Sequence, residues 1–499
     1  MRARRHDDRG YALVLIAASM SLLLGVAGFG VDLGSWYRSA TRLQNAVDSA
    51  ALAGVVFMPG DFVSAQSTAL GVMRKNGFAN GTDNNVVTVS AVGSDPHELR
   101  VCATLGNVQQ FFTKIVGAHP SISKCATARY VLPVAMGSPL NEITNDALGV
   151  YPAISGYCSA SEDGDEFQSG YRGMFPDHTW ASYTGCPPGG AYGPPLGANP
   201  DYDPSGYDYR IDVKTATATS IDVFDGEWSS TSPYDGVQGN GTTTIDTTYT
   251  LTFDNNTPLN RGDDVVVAST TVASGDASWQ SQWKTLATVS VIGGYYLNVK
   301  TSTNAESHGT NSYGLRARQS SAFTACSSDV TSANYSATCP QIYGVSRISV
   351  DAQVASSAAQ FYLASIGADH AGQDLVIDLY DPGEGGQAIQ VLDPNGNPVT
   401  FDWKTVDNLP QVAGAEQMSG TDSALDVSGA VSTPDYERNA GTFNDRKVEL
   451  TIHLPADYAG TYGDKTWWSL HYEFGSLKVR DRTTWSVHVN GDPVRLVGS

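Results

Sequence analysis

Oxygen-bearing side chains at regular spacing mark the strongest chemical candidate, Asp201-Tyr-Asp203-Pro-Ser205-Gly206-Tyr-Asp208-Tyr-Arg-Ile-Asp212. Asp201, Asp203, Ser205 and Asp212 occupy positions 1, 3, 5 and 12 of a loop with Gly at 6, the spacing by which a chain wraps oxygens around calcium. The twelfth ligand is Asp rather than the usual bidentate Glu, and a strand follows instead of a helix. An ordinary Asp/Pro/Ser/Gly turn before that strand is the competing reading. No other cofactor is expected. Asp393-Pro-Asn395-Gly-Asn397 reads as a hairpin turn.

Catalytic chemistry finds little support. The nucleophile motif Gly-x-Ser-x-Gly is absent. His453, His471 and His488 fall close together in sequence, but histidines on the polar face of strands need no catalytic role. Asp163, Asp165 and Glu166 pair carboxylates as glycoside hydrolysis would require. In a chain with 51 Asp and Glu such pairs are expected without function. The expectation is a protein that is not an enzyme. Arg261-Gly262-Asp263 spells an integrin-binding tripeptide, too short to carry an inference. Trp228, Tyr234, Trp279, Trp283, Trp467, Trp468 and Trp485 are candidates for sugar-stacking platforms or, alternatively, sandwich cores.

The elements that must position these residues begin with an anchor. Tyr11 to Val31 carries no charge, and at ~1.5 Å per helical residue it spans ~31 Å, about one hydrocarbon core. Arg2, Arg4, Arg5 and Arg9 precede it, whereas Arg38 and Arg42 alone follow closely, so the N-terminus is expected inside. A cleaved secretory signal is the competitor, but the apolar run is long for one. The helical period continues past the span: Trp36, Ala40, Leu43, Val47, Ala50 and Gly54 share one face, Arg38, Arg42, Asn45 and Ser49 another. Ala46, Ala50 and Gly54 have the small-xxx-small spacing that lets helix backbones approach closely. The same spacing suits an Ala-rich helix lying on its own domain.

Arg9-Gly10-Tyr11-Ala12, then Gly30-Val31-Asp32-Leu33-Gly34, then Thr41-Arg42-Leu43-Gln44-Asn45-Ala46-Val47-Asp48-Ser49-Ala50-Ala51-Leu52-Ala53-Gly54, resemble the N-terminal segment of Flp (Tad) pilus-assembly proteins of the TadE/TadG type. That resemblance implies a bacterial, single-span, pilin-like envelope protein accompanying assembly of a thin adhesive pilus. Its partners would be the membrane and other pilin-like or pilus-assembly proteins. Two departures stand out. Related major pilins are processed at a Gly followed five residues later by Glu, whereas Gly10 is followed by Leu15. Many larger members end in a von Willebrand A domain with an Asp-x-Ser-x-Ser metal site, but Asp426-Val-Ser428 lacks the second Ser.

Beyond residue 34 the chain has 26 Lys and Arg against 48 Asp and Glu. Such an acidic ectodomain is soluble and repels nucleic acid and anionic surfaces, which excludes a nucleic-acid function. Cys102, Cys125, Cys158, Cys186, Cys326 and Cys339 form an even set in a segment expected outside, where sequential pairing is the simplest disulfide scheme. None of the spacings fits zinc.

The expected organisation is a tail (1–9), a transmembrane anchor (10–34), a stalk helix (35–58), a small α/β domain (59–132), a β-sandwich (133–323), a connector (324–344) and a second β-sandwich (345–499). In the small domain a helix over 64–76, strands over 86–92 and 99–105, a short helix over 108–116 and a strand over 121–131 follow from periodicity. From residue 133 Thr, Val and Tyr with frequent turns argue for sandwich or jelly-roll domains. Ile221-Asp-Val-Phe-Asp225 recurs as Ile377-Asp-Leu-Tyr-Asp381, and Leu251-Thr-Phe253-Asp254 as Gln390-Val-Leu392-Asp393, in the same order, which suggests a duplication. The expected product is a single-pass protein of the bacterial cytoplasmic membrane, its bulk outside, serving a Flp-type pilus system. The alternative is an independent surface adhesin or carbohydrate binder whose partner is a glycan or host surface.

Overall fold

The computed structural model describes residues 9–58, 62–92, 95–106, 108, 110–112, 120–130, 134–144, 150–156, 164–167, 203–225, 246–255, 261–273, 276–279, 281–302, 310–354, 357–383, 386–406, 418–428, 443, 446–474, 479–490 and 494–497. They divide into two compact units. Residues 1–132 and 492–499 form the smaller and 133–491 the larger.

In the smaller unit, helix α1 (Arg9–Val55) runs unbroken for 47 residues, ~70 Å at 1.5 Å per residue. Its first half is apolar and bare; only 6% of the most apolar window is buried. Its second half is amphipathic and turns Leu43, Ala46, Val47, Ala50, Ala51 and Val55 into a core. Helix α2 (Phe62–Lys75) contributes Ala65, Ala69 and Met73 at helical spacing to that core. Strands β1 (Val86–Val92), β2 (Asp95–Leu105) and β3 (Ile122–Tyr130) form an antiparallel sheet that supplies Val87, Leu99, Val101, Ala103, Ala126 and Ala128. The sheet has a fourth member far away in sequence: Val494–Val497 pairs with β3, Val494 opposite Tyr130. Where a short helix is expected over 108–116, the described residues 108 and 110–112 are not helical; the others lie outside the described residues.

The larger unit is β-rich, with two ten-stranded antiparallel sheets and one continuous apolar core. Strand Tyr207–Val213 shows why: Tyr207, Tyr209, Ile211 and Val213 are buried and the residues between them are not, the period-2 pattern of a sheet with one face inside.

Sheet order reveals the duplication. The first eight strands in chain order are Val150–Ser155, Tyr207–Val213, Thr219–Asp225, Thr247–Phe253, Val265–Val272, Gln282–Val289, Gly293–Thr301 and Thr310–Arg318. Numbered one to eight within this half, they pair as 1-8-3-6 in one sheet and 2-7-4-5 in the other, which is a jelly roll. The second half repeats that order with Arg347–Val354, Ala358–Ser365, Asp374–Tyr380, Gly386–Leu392, Leu425–Asp426, Lys447–His453, Trp467–Phe474 and Val479–Asn490. A hairpin of Phe401–Thr405 and Ser419–Asp422 is added.

The two rolls share their sheets. Equivalent first strands pair with each other, Val350 opposite Pro152 and Ala352 opposite Val150. In the other sheet Ala135–Met136 bridges Ala358–Ser365 and Gln341–Val345. The connector thus ends in a strand of the sheet, and its loop is stapled by a Cys326–Cys339 disulfide. Pairing the exposed first strands of both rolls removes two edges that would otherwise invite association.

Candidate functional site

Two places combine exposure, polarity and unusual packing: the junction of α1 with residues 110–112, and a pocket between the two rolls. At the first, Asp32 is fully buried although it follows directly on the apolar span. Its Oδ1 accepts the Phe111 amide at 2.7 Å and its Oδ2 the Phe112 amide at 3.0 Å. A carboxylate buried in such surroundings needs hydrogen bonds to the charged form, and backbone N–H groups supply them. One turn earlier on the same face, a Cβ at Gly28 would sit 2.6 Å from Cγ of Phe112. Glycine is what lets that ring lie on the helix.

Further along α1, the small-residue face is already occupied. Ala46 and Ala50 are buried, and a Cβ at Gly54 would stand 2.6 Å from Leu99 Cδ2 and 2.8 Å from the Ala65 carbonyl oxygen. Gln44 Nε2 donates to the Cys125 carbonyl at 3.3 Å. Of the two readings of the Ala46, Ala50 and Gly54 spacing, the structure shows the second: this face folds against its own domain. Directly beneath, Cys102 and Cys125 face each other across β2 and β3 and form a disulfide. Cys158 and Cys186 lie outside the described residues.

The described residues of the calcium candidate are engaged with other partners. Asp201 lies outside the described residues. Asp203 Oδ1 accepts the Ser205 amide at 2.8 Å, closing a turn, and its other oxygen meets Arg347. Burial would raise its carboxyl, but the Ser205 hydrogen bonds and the Arg347 guanidinium outweigh it and hold Asp203 below the usual carboxylate value. Arg347 in turn lies 3.6 Å over the Phe167 ring. Asp212 is paired with Arg210 at 2.8 Å and accepts the Tyr343 hydroxyl at 3.2 Å. From Tyr207 to Asp212 the chain is extended, five steps of ~3.3 Å, so Asp212 stands ~16 Å along the strand from Tyr207. Among the described residues no three His, Cys, Asp or Glu side chains form a group that could hold a metal.

The other described candidates are engaged in contacts within the fold. Asp165 accepts the Ser155 amide at 2.9 Å and the Tyr207 hydroxyl at 2.5 Å, and Glu166 is buried 3.4 Å from Lys447 Nζ. Asp163, Trp228 and Tyr234 lie outside the described residues. His453 pairs with Asp374 at 2.9 Å, whereas His471 belongs to the opposite sheet. Arg261, in a 3-10 turn with Gly262 and Asp263, lies 3.8 Å over the Tyr296 ring and 2.7 Å from Asp264. Asp393 closes its hairpin by accepting the Asn395 and Asn397 amides. Of the platform candidates, Trp467, Trp468 and Trp485 are buried. Trp283 carries Arg316 at 4.0 Å over its ring, and Trp279 packs against the core.

The second place is an apolar pocket of about 130 Å³ at the seam of the two rolls. Tyr151, Ile348, Val350, Phe361, Tyr362 and Trp485 line it, with Ser138, Thr144 and Gln360 as polar groups. No charged side chain lines it, so it offers shape, aromatic faces and a few uncharged polar groups.

The bare, apolar first half of α1 together with Asp32 in its Gly30-Val31-Asp32-Leu33-Gly34 setting matches a known segment. Residues 10–59 match the Tad family, described as Flp pilus-assembly TadE/G-like. The TadE/G-like segment coincides with α1 and the turn after it, the same residues that bridge span and core. It associates the chain with Flp pili and, with the apolar helix, with a membrane. No curated protein matches the chain. Among solved structures, the N-terminal CBM22-1-CBM22-2 tandem domain from Paenibacillus barcinonensis Xyn10C is 10% identical. It covers 58% of this chain and 79% of its own at a TM-score of 0.14. The infectious bursal disease virus VP2 subviral particle is 11% identical and covers 72% of this chain and 80% of its own at 0.08. At those TM-scores neither bears on fold or function.

Proposed function

We propose that this chain is a single-pass, non-enzymatic membrane protein of a Flp-type pilus system, with its N-terminus in the cytoplasm and both units outside. One observation carries the reading: in the TadE/G-like segment a single helix is bare and apolar for its first half and core-forming for its second. Anchor and ectodomain are therefore one continuous element, and unit 1 cannot leave the membrane intact while α1 remains whole. The Cys102–Cys125 and Cys326–Cys339 disulfides support an oxidising compartment for both units. The basic residues before the span support the orientation.

Because unit 1 covers Ala46, Ala50 and Gly54, assembly partners would engage the span itself or the outer surfaces of the two units. Deleting the gene and restoring it in trans tests the role. Loss of surface pili, rescued by the full chain but not by one whose residues 11–31 are replaced with a cleavable signal, is expected. Normal piliation in the deletion strain, or recovery of the native protein as a soluble species, would sink the proposal.

A further inference from the structure

We propose that Phe111 and Phe112 insert into the outer face of the lipid bilayer beside the anchor, so that the smaller unit is seated on the membrane surface rather than held clear of it. The inference rests on the anchoring reading above. Phe111 is 54% and Phe112 48% exposed, although both are large and apolar. Their amides are fixed by Asp32 just past the end of the span. The Phe112 ring then reaches back to Gly28, four residues or ~6 Å toward the membrane, within the depth at which interfacial side chains bury. Leu24, Val26, Phe29 and Val31 around it are more than half exposed, so ring and helix present one continuous apolar surface whose occupant is hydrocarbon.

Charge points to the same partner. Residues 35–132 hold 8 Lys and Arg against 5 Asp and Glu, while 133–491 hold 17 against 42. The acidity expected to repel anionic surfaces belongs to the larger unit alone. A bilayer containing anionic phospholipid attracts the smaller unit and repels the larger.

Asp32 is the positioning residue: it holds two backbone amides that would otherwise be desolvated at the lipid boundary. Full-length protein carrying the photo-crosslinker p-benzoylphenylalanine at position 24, 111, 112 or 265 tests this in vesicles of phosphatidylethanolamine with a minority of phosphatidylglycerol. Expected are lipid adducts at 111 and 112 at yields comparable to Leu24, and none at Val265, an exposed site of the larger unit. Adducts at 24 but none at 111 or 112 above the Val265 level would overturn this inference and leave the anchor standing. No adduct at 24 would overturn both. With Asp32→Ala, adducts at 111 should fall to the Val265 level while those at 24 persist; an unchanged yield at 111 would remove Asp32 from the account. A protein adduct in place of the lipid adduct at 111 in native membranes would also refute it.

Discussion

Replacing Gly54 and Gly71 by alanine should have opposite effects, although both glycines are helical. In a helix interior Gly→Ala gains up to about 1 kcal/mol, because glycine loses more backbone freedom on folding. At Gly71 of α2 nothing lies within 4 Å of the added Cβ, so the gain should be kept. At Gly54 the methyl would meet Leu99 Cδ2 at 2.6 Å, the Ala65 carbonyl oxygen at 2.8 Å and Ala69 Cβ at 3.2 Å. The leucine can yield but the carbonyl cannot without moving α2, and overpacking of this kind costs about 1–3 kcal/mol. The net expectation is a loss of roughly 0–2 kcal/mol for Gly54→Ala and a gain near 1 kcal/mol for Gly71→Ala. A chain of two units does not unfold in one step, so a global melting temperature would blur the effect. Hydrogen exchange of peptides covering 62–75 and 99–105 reads the smaller unit by itself. Exchange there should speed up by as much as about thirtyfold in Gly54→Ala and slow by roughly fivefold in Gly71→Ala, at 1.4 kcal/mol per factor of ten. Slower exchange in Gly54→Ala would refute the reasoning, since the small-residue face would then be open and available to another helix.

Removing the cross-strand bridge with Cys102→Ala and Cys125→Ala, 23 residues apart, should cost about 3 kcal/mol by chain entropy; faster exchange across β2 and β3 without reductant would show it. Asp222→Ala should destabilise the larger unit by roughly 3–5 kcal/mol in urea unfolding. Asp222 is buried between Arg316 at 3.0 Å and Arg318 at 2.6 Å, and its loss strands both cations. Asp203 should make the turn before Tyr207 acid-sensitive. Its folded pKa lies below the unfolded one, so its contribution is complete above the unfolded value and disappears as pH falls through the folded value. Comparing Asp203→Asn with the parent between roughly pH 6 and pH 2 should show a stability gap that closes in acid; a gap constant with pH would contradict the ion pair.

Much of this fold was legible in local pattern. The unbroken helical period from Tyr11 to Gly54, the alternation in Tyr207–Val213 and the repeated Ile-Asp-x-x-Asp of 221–225 and 377–381 each find their element. The repeat is physical as well as textual: Asp225 and Asp381 are both fully buried at the ends of equivalent strands, and Asp222 and Asp378 are both ion-paired. What stayed hidden depends on distant pairing. Nothing local in Val150–Ser155 announces that it will pair with Arg347–Val354 and fuse the rolls. The tie from Asp32 to Phe111 spans 79 residues, and nothing in the sequence around either residue announces it. The spacing of Ala46, Ala50 and Gly54 specifies close approach but not the approaching partner. Consecutive tryptophans at 467 and 468 point to opposite faces of one strand, yet both sheet faces there are covered and neither ring forms a platform.

The pairing of Tyr130 with Val494 makes the larger unit an insertion between neighbouring strands. As the chain is made, β3 keeps a raw flank until residues 494–497 have followed, more than 360 positions later. The sheet of the smaller unit thereby registers completion: a stalled or clipped polypeptide leaves β3 with an open row of amides and carbonyls, a free edge where the finished chain has a paired one.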